Sequence, residues 1–132
     1  MLARCPVIAF AATTDLALAR SFYEGALGLE LVDKNAYACV FDAHGTMLRV
    51  TLVTDVARPG YAVLGWSVAD ISGTVAQLES VGVVFTRYDG MAQDAQGVWT
   101  SPSGDRIAWF SDPDANVLSL TEFQLKDIPP TA

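Results

Sequence analysis

A chain of 132 residues with 52% hydrophobic side chains makes one domain with room for a sizeable core. Its formal charge of −7 repels phosphate backbones, which argues against nucleic acid as a partner and suits a well-dispersed protein or a basic small ligand. No apolar run is long enough to cross a bilayer and the start is too short for a secretory leader, so a cytoplasmic protein with no membrane contact is expected.

Residues 7–13 read as a strand, and Thr14-Asp15 supply an N-cap signal. Leu16, Ala19, Phe22, Tyr23, Ala26 and Leu27 then recur at helical spacing, and Gly28 supplies the stop. Residues 29–33, 36–41 and 47–53 read as strands joined by Lys34-Asn35 and by a turn at 43–46. Residues 54–62, with Arg58-Pro59-Gly60, form a linker within the domain.

The order repeats after the linker. Residues 63–68 are a strand, Asp70 caps a helix with the apolar stripe Ile71, Val75, Leu78 and Val81, and Gly82 ends it. Residues 83–88 read as the next strand, and 89–97 as a polar, flexible loop. Residues 98–101 and 106–110 read as strand interrupted by Pro102-Ser103-Gly104. Asp112-Pro113-Asp114-Ala115-Asn116 is a tight turn, because Pro113 presets φ and the Asp and Asn side chains cap nearby backbone. Residues 117–121 close the unit. The tail, 123–132, is expected to fray from Lys126 through Pro129-Pro130.

Laid over one another, residues 8–15 fall on 63–70 without a gap, and Met47-Leu48-Arg49-Val50-Thr51 falls on Val117-Leu118-Ser119-Leu120-Thr121. Identities are few, so the repeat rests on element order and face alternation. Two units (7–53 and 63–122), neither able to bury a sheet face alone, should pack as one α+β domain.

The chain resembles the vicinal oxygen chelate superfamily of glyoxalases, bleomycin-resistance proteins and extradiol dioxygenases. The resemblance rests on Asp15-Leu16 with Phe22-Tyr23 and Leu27-Gly28-Leu29, and on Phe110-x-Asp112-Pro113-Asp114-x-Asn116. It implies two βαβββ modules whose sheets curl into a cup-shaped mixed sheet, with helices on the convex side and the site inside. The family's usual Gly in the second turn is Ala115 here, which is strained by about 1 kcal/mol if that position is left-handed.

Metal-dependent members of the family draw ligands from the first and last strands of each module. Those positions fall here on Ile8, Arg49, Val63 and Ser119, which lack the imidazole and carboxylate donors of an N/O site. No metal and no cofactor are therefore expected. The reading is a binder of a drug or metabolite; the alternatives are a lyase, isomerase or dioxygenase without the usual ligands, and a dimeric interaction module. Short family members usually pair, so a homodimer is expected.

Alternation puts Met47, Arg49 and Thr51 on the cup face, with Val117, Ser119 and Thr121, and with Ile8, Phe10, Val63, Gly65 and Ser67. That bowl is apolar with a few hydroxyls and one cation, and Arg49 should hold either a ligand anion or a protein carboxylate. Of the tryptophans, Trp66 alternates onto the helix-packed face, whereas Trp99, with Trp109 a further candidate, follows the 89–97 loop and suits stacking at the lip. Tyr61 in the linker is placed to face the opening. Cys5 and Cys39 read as reduced apolar side chains and His44 as a turn residue. No residue declares itself as catalytic.

Overall fold

Each half of the chain folds as strand, helix and three strands in a computed structural model that describes residues 1–124. The tail segment expected to fray from Lys126 lies outside the described residues. In the first half β1 (Ile8–Thr13) leads into α1 (Leu16–Arg20), then β2 (Glu30–Lys34), β3 (Ala38–Ala43) and β4 (Thr46–Leu52). In the second half β5 (Leu64–Ser67) leads into α2 (Ile71–Ser80), then β6 (Trp99–Thr100), β7 (Arg106–Ser111) and β8 (Val117–Glu122).

The strands form two four-stranded sheets, ordered β2-β3-β4-β1 and β5-β8-β7-β6. In each, the first strand runs parallel to the last and the other pairs are antiparallel. The register carries the duplication. Ala9 faces Leu48 in the first sheet and Leu64 faces Leu118 in the second, which is the correspondence that the overlay of the two halves requires. Both helices lie on the same side. Under them Cys39, Phe41, Leu48, Val50, Ala108, Phe110, Leu118 and Leu120 join Tyr23, Ile71 and Val75 in one core.

The caps act as the sequence dictates. The Asp15 carboxylate accepts from the N–H groups of Ala17 (3.0 Å) and Leu18 (3.1 Å), and that of Asp70 from Gly73 (3.1 Å). Each such cap stabilises by about 1 kcal/mol. Gly28 (φ 75°) and Gly82 (φ 96°) end the helical segments in the left-handed region.

Three elements differ from expectation. The first helix does not run as α-helix through Leu27; past Arg20 it widens into a π-helical turn, Ser21–Ala26. That turn holds two adjacent inward aromatic rings, Phe22 edge-on to Tyr23 at 5.2 Å between centroids. Residues 83–88 do not form a strand: only Phe85 bridges to Phe110, and Val84 is 80% exposed. Finally, 98–101 and 106–110 are not one interrupted strand but a hairpin, Trp99 facing Ile107 and Thr100 facing Arg106. β6 folds back onto Arg106 and Ile107 of β7, and beyond them 83–88 meets that edge through the Phe85 bridge and the Thr86 N–H, which donates to the Trp109 carbonyl (2.8 Å).

The turn at 112–116 clamps the modules together. The Tyr23 hydroxyl donates to Asp112 Oδ2 (2.7 Å), which also accepts from Asn116 Nδ2 (2.7 Å). Asn116 Nδ2 donates to the Ala12 carbonyl as well (2.8 Å), and the N–H groups of Asp114 and Asn116 reach Asp112 Oδ1 (2.9 and 3.0 Å). Ala115 sits at φ 64°, so the strain expected of a non-glycine residue there is real.

Candidate ligand cup

Because the helix side takes every second residue, the remaining side chains line the concave face in registered rungs. In the first sheet these are Ile8–Met47–Asp42, Phe10–Arg49–Val40 and Ala12–Thr51–Ala38. In the second they are Gly65–Ser119–Trp109 and Ser67–Thr121–Ile107, with Val63 donating its N–H to Val117 (2.9 Å) one step before. Within each sheet, the strand positions expected from alternation therefore share one face. They are open rather than enclosed: Phe10 is 59% exposed and Ile8 45%.

Arg49 stands in the middle rung of the first sheet. Among the described residues no carboxylate lies within 4.0 Å of its guanidinium, so the protein ion pair, one of the two expectations for it, is not formed. The nearest acid by register is Asp42, a diagonal neighbour across β3 and β4 whose carboxylate accepts from Gly45 N–H (3.0 Å). A diagonal pair is separated by about 8 Å, where Coulomb attraction in water is only about 0.5 kcal/mol. Glu30 and Asp33 lie one strand further out, on β2. These acids temper the field of Arg49 without occupying its donors.

The equivalent rung of the second sheet ends in an aromatic wall. Trp109 faces Ser119 across the pair, Trp99 lies 6.3 Å from it and Tyr88 meets it edge-on at 5.5 Å. Between the wall and Phe10 the floor is flat. A Cβ on Gly65 would come within 2.6 Å of Ser119 Oγ, so the missing side chain is what lets the serine hydroxyl lie there. Beside Phe10 a recess of about 510 Å³ opens, lined by Thr51, Val63 and the linker residues Val56, Ala57 and Pro59.

The loop over the wall is tied down rather than free. Gln93 accepts from Tyr88 N–H (2.8 Å) and donates to the carbonyls of Thr86 (3.0 Å) and Gly97 (2.8 Å). Arg87 donates to the carbonyls of Asp94 and Ala95, and Gln96 to that of Ser72. Each bond contributes about 1 kcal/mol. The flexibility expected of this loop from its glycines is thus opposed by side chains that satisfy its backbone.

Other singled-out residues lie elsewhere. Trp66 stacks on Phe110 at 6.4 Å on the helix side, where it borders a cleft of about 200 Å³ that contains no charged side chain. Tyr61 is 68% exposed in the linker. His44 (φ 51°) occupies the β3–β4 turn. Cys39 is buried as expected, and burial pushes its thiol pKa up although Arg20 and Lys34 pull it down. Cys5, also a free thiol, is exposed.

The shifted acids belong to the module clamp. Burial, then the charge and hydrogen bond of Asp112, push the Tyr23 hydroxyl far above its ordinary range. Burial also opposes ionisation of Asp114, but hydrogen bonds from the Thr13 hydroxyl and from the N–H and hydroxyl of Thr14 outweigh it and hold that carboxyl below its usual range.

Chelation fails a test of donor chemistry. Ile8 and Val63 offer hydrocarbon, Arg49 a fixed cation and Ser119 a neutral hydroxyl, a set that does not fit a divalent metal. Among the described residues no group of three His, Cys, Asp or Glu side chains could hold one elsewhere. Nor is any helix there long and apolar enough to cross a membrane.

A family model for the glyoxalase/bleomycin resistance protein/dioxygenase superfamily matches residues 7–120. The chain belongs to this superfamily. A superfamily member from Sphaerobacter thermophilus is 28% identical over 89% of this chain and 97% of its own, with a TM-score of 0.66. The bleomycin resistance determinant of transposon Tn5 is 18% identical over 89% and 97%, with a TM-score of 0.69. The fosfomycin resistance protein FosX of Listeria monocytogenes is 13% identical over 93% and 94%, with a TM-score of 0.71. The last two likenesses are of fold alone. No curated protein matched. The superfamily's α+β cup of two modules is the architecture described above.

Two cup residues were not placed by the sequence reading. Trp109 alternates with the buried Ala108 and Phe110, so its cup-facing side was available from period 2 alone. Tyr88 gave no such signal, because 83–88 carries the composition of a strand without being one.

Proposed function

We propose that the protein binds a small organic molecule in the cup and does so without a metal, sequestering a drug or metabolite rather than transforming it. The observation that carries this reading is the side-chain set at the positions where chelating members carry ligands. Where a chelating member of the superfamily needs lone pairs, this chain has Ile8, Arg49, Val63 and Ser119, and Phe10, Met47, Val117 and Trp109 stand in the same or neighbouring rungs of their sheets, with Trp99 beside Trp109. Apolar and aromatic walls with a few polar groups are the usual composition of a small-molecule pocket. The 510 Å³ recess lies within the range for drug-sized ligands, about 300–1,000 Å³. Thr51, Ser67 and Thr121 add neutral hydroxyls at the rim.

The test is elemental analysis of protein purified without chelator, run beside a thermal-shift screen of aromatic compounds. Binding to the native state alone raises the melting temperature, by about 2.7 kcal/mol of stability at a hundredfold excess over Kd. The reading expects no stoichiometric transition metal and upward shifts that survive chelator. Zinc, nickel, iron or manganese at one per chain, with shifts abolished by chelator, overturns it.

Apolar side chains exposed outside the cup, Tyr37, Val81 and Val84 among them, favour a homodimer in solution.

A further inference from the structure

We propose that the recess beside Phe10 takes a neutral, largely apolar molecule that donates one hydrogen bond, from an N–H or O–H group, to Oδ1 of Asn116. This rests on the small-molecule reading above and names where in the cup the ligand sits and which class it belongs to.

The acceptor is identified by the bonds of its partner nitrogen. One terminal atom of the Asn116 amide lies 2.8 Å from the Ala12 carbonyl and 2.7 Å from Asp112 Oδ2. Both of those groups are acceptors, so that atom is the NH2 donor and the other is the oxygen. Among the described residues Oδ1 accepts no hydrogen bond, although Asn116 is only 4% exposed. Nor is it sealed in. Every fully buried side-chain nitrogen and oxygen among those residues has a partner, so an oxygen without one touches solvent. The opening that Asn116 lines is the recess of about 510 Å³. The two bonds of the nitrogen hold the amide plane, so a ligand meets an acceptor that is already oriented.

The rest of the lining sets the remaining chemistry. Phe10, Val56, Pro59 and Val63 supply hydrocarbon, and no lining residue carries a charge. Arg58 follows Ala57 in the chain but is exposed and outside the lining. A charged ligand would lose its water there without a counter-charge, which is costly, whereas an apolar body gains from burial. An anion would also face the amide oxygen, which has no proton to give. Thr51, registered with Ala12 on the neighbouring strand, adds a neutral hydroxyl to the same lining. A ligand of the right shape but without a donor would cover Oδ1 and leave it unpaired, and that penalty separates donors from their shape-matched analogues.

The experiment is titration of 15N-labelled protein, followed by NMR, with three matched probes. Indole is neutral and donates through its N–H; 1-methylindole keeps the ring and loses the donor; indole-3-carboxylate keeps the donor and adds a charge. The expected result is indole binding about tenfold or more tighter than either of the others. Its addition should shift the side-chain NH2 resonances of Asn116 and the backbone N–H signals of Val56 and Ala57. Asn116 itself is left intact, because its nitrogen holds the clamp. Ala12→Leu fills the recess from a half-buried position in the lining and should weaken indole by about tenfold. Indole and 1-methylindole binding within twofold of each other, or tighter binding of the carboxylate, overturns the donor assignment while the cup remains a binder of small molecules. Shifts confined to the second sheet around Trp109, with Ala12→Leu binding as wild type does, overturn the location with the same consequence. Failure of all three probes overturns the assignment, and the aromatic screen above then decides the reading beneath it: hits there preserve that reading, and none removes it.

Discussion

Replacing Tyr23 by Phe removes one oxygen from the interior and nothing else, which makes it a sharp probe of the clamp between modules. Tyr23 is 0% exposed, and its hydroxyl gives the carboxylate of Asp112 one of four hydrogen bonds, at 2.7 Å. A hydrogen bond to a charged group contributes about 1.5–3 kcal/mol, and the orphaned carboxylate oxygen keeps Asn116 Nδ2 as a partner, so a cost near 2 kcal/mol is expected. For a domain of this length that lowers the melting temperature by roughly 6–10 °C. The pH dependence gives a second readout. The folded pKa of Tyr23 lies above its unfolded value of 10.0, so its contribution is whole below pH 10 and declines as pH rises above that, where only the unfolded chain releases the proton. Calorimetry from pH 7 to 11 should show wild type losing stability on the alkaline side more steeply than Tyr23→Phe. A variant within 0.5 kcal/mol of wild type at pH 7, with an unchanged alkaline slope, would refute the idea that this bond holds the halves together.

Four further outcomes are expected. Ala115→Gly relieves a residue held at φ 64° and, after the entropy of a freer unfolded chain, should stabilise by about 0.5 kcal/mol in urea unfolding. Asp114→Asn should flatten the acid limb of stability: the folded carboxyl titrates below its ordinary 3.8, so wild type keeps this contribution above pH 4 and loses it as pH falls through the depressed value. Gln93→Ala cuts three hydrogen bonds at the base of the 89–97 loop and should speed amide exchange there and change the emission of Trp99 and Trp109, with β1 to β4 unaffected. Sedimentation at micromolar concentration should give a species of twice 14.1 kDa; a monomer there contradicts the expected pairing.

What could be read without coordinates was whatever the chain specifies locally. Asp70 and Gly82 bracket α2 because a carboxylate cap and a left-handed stop act within one turn. The turn at 112–116 follows from Pro113 and its acids, and the two faces of β4 and β8 from strict alternation. What could not be read depends on competition between distant segments. Residues 83–88 have a strand's composition, but only Phe85 bridges to β7, while β6 pairs with Arg106 and Ile107 on the same edge. The π-turn that follows α1 carries Tyr23, whose hydroxyl bonds an acid 89 residues away. Arg49 could be placed on the cup face but not assigned a partner, because that depends on where Asp42 turns its carboxylate.

A duplicated fold whose two copies repeat one register invites a guest to bind two ways round, head for tail. Here the copies have diverged at each residue of the central rung: Phe10 answers Gly65, Arg49 answers Ser119 and Val40 answers Trp109. A guest that reads those differences is held in one direction only, so the architecture stays near-symmetric while its contents have polarity. The same three exchanges, made in reverse, are the route by which such a receptor would lose its sense of orientation.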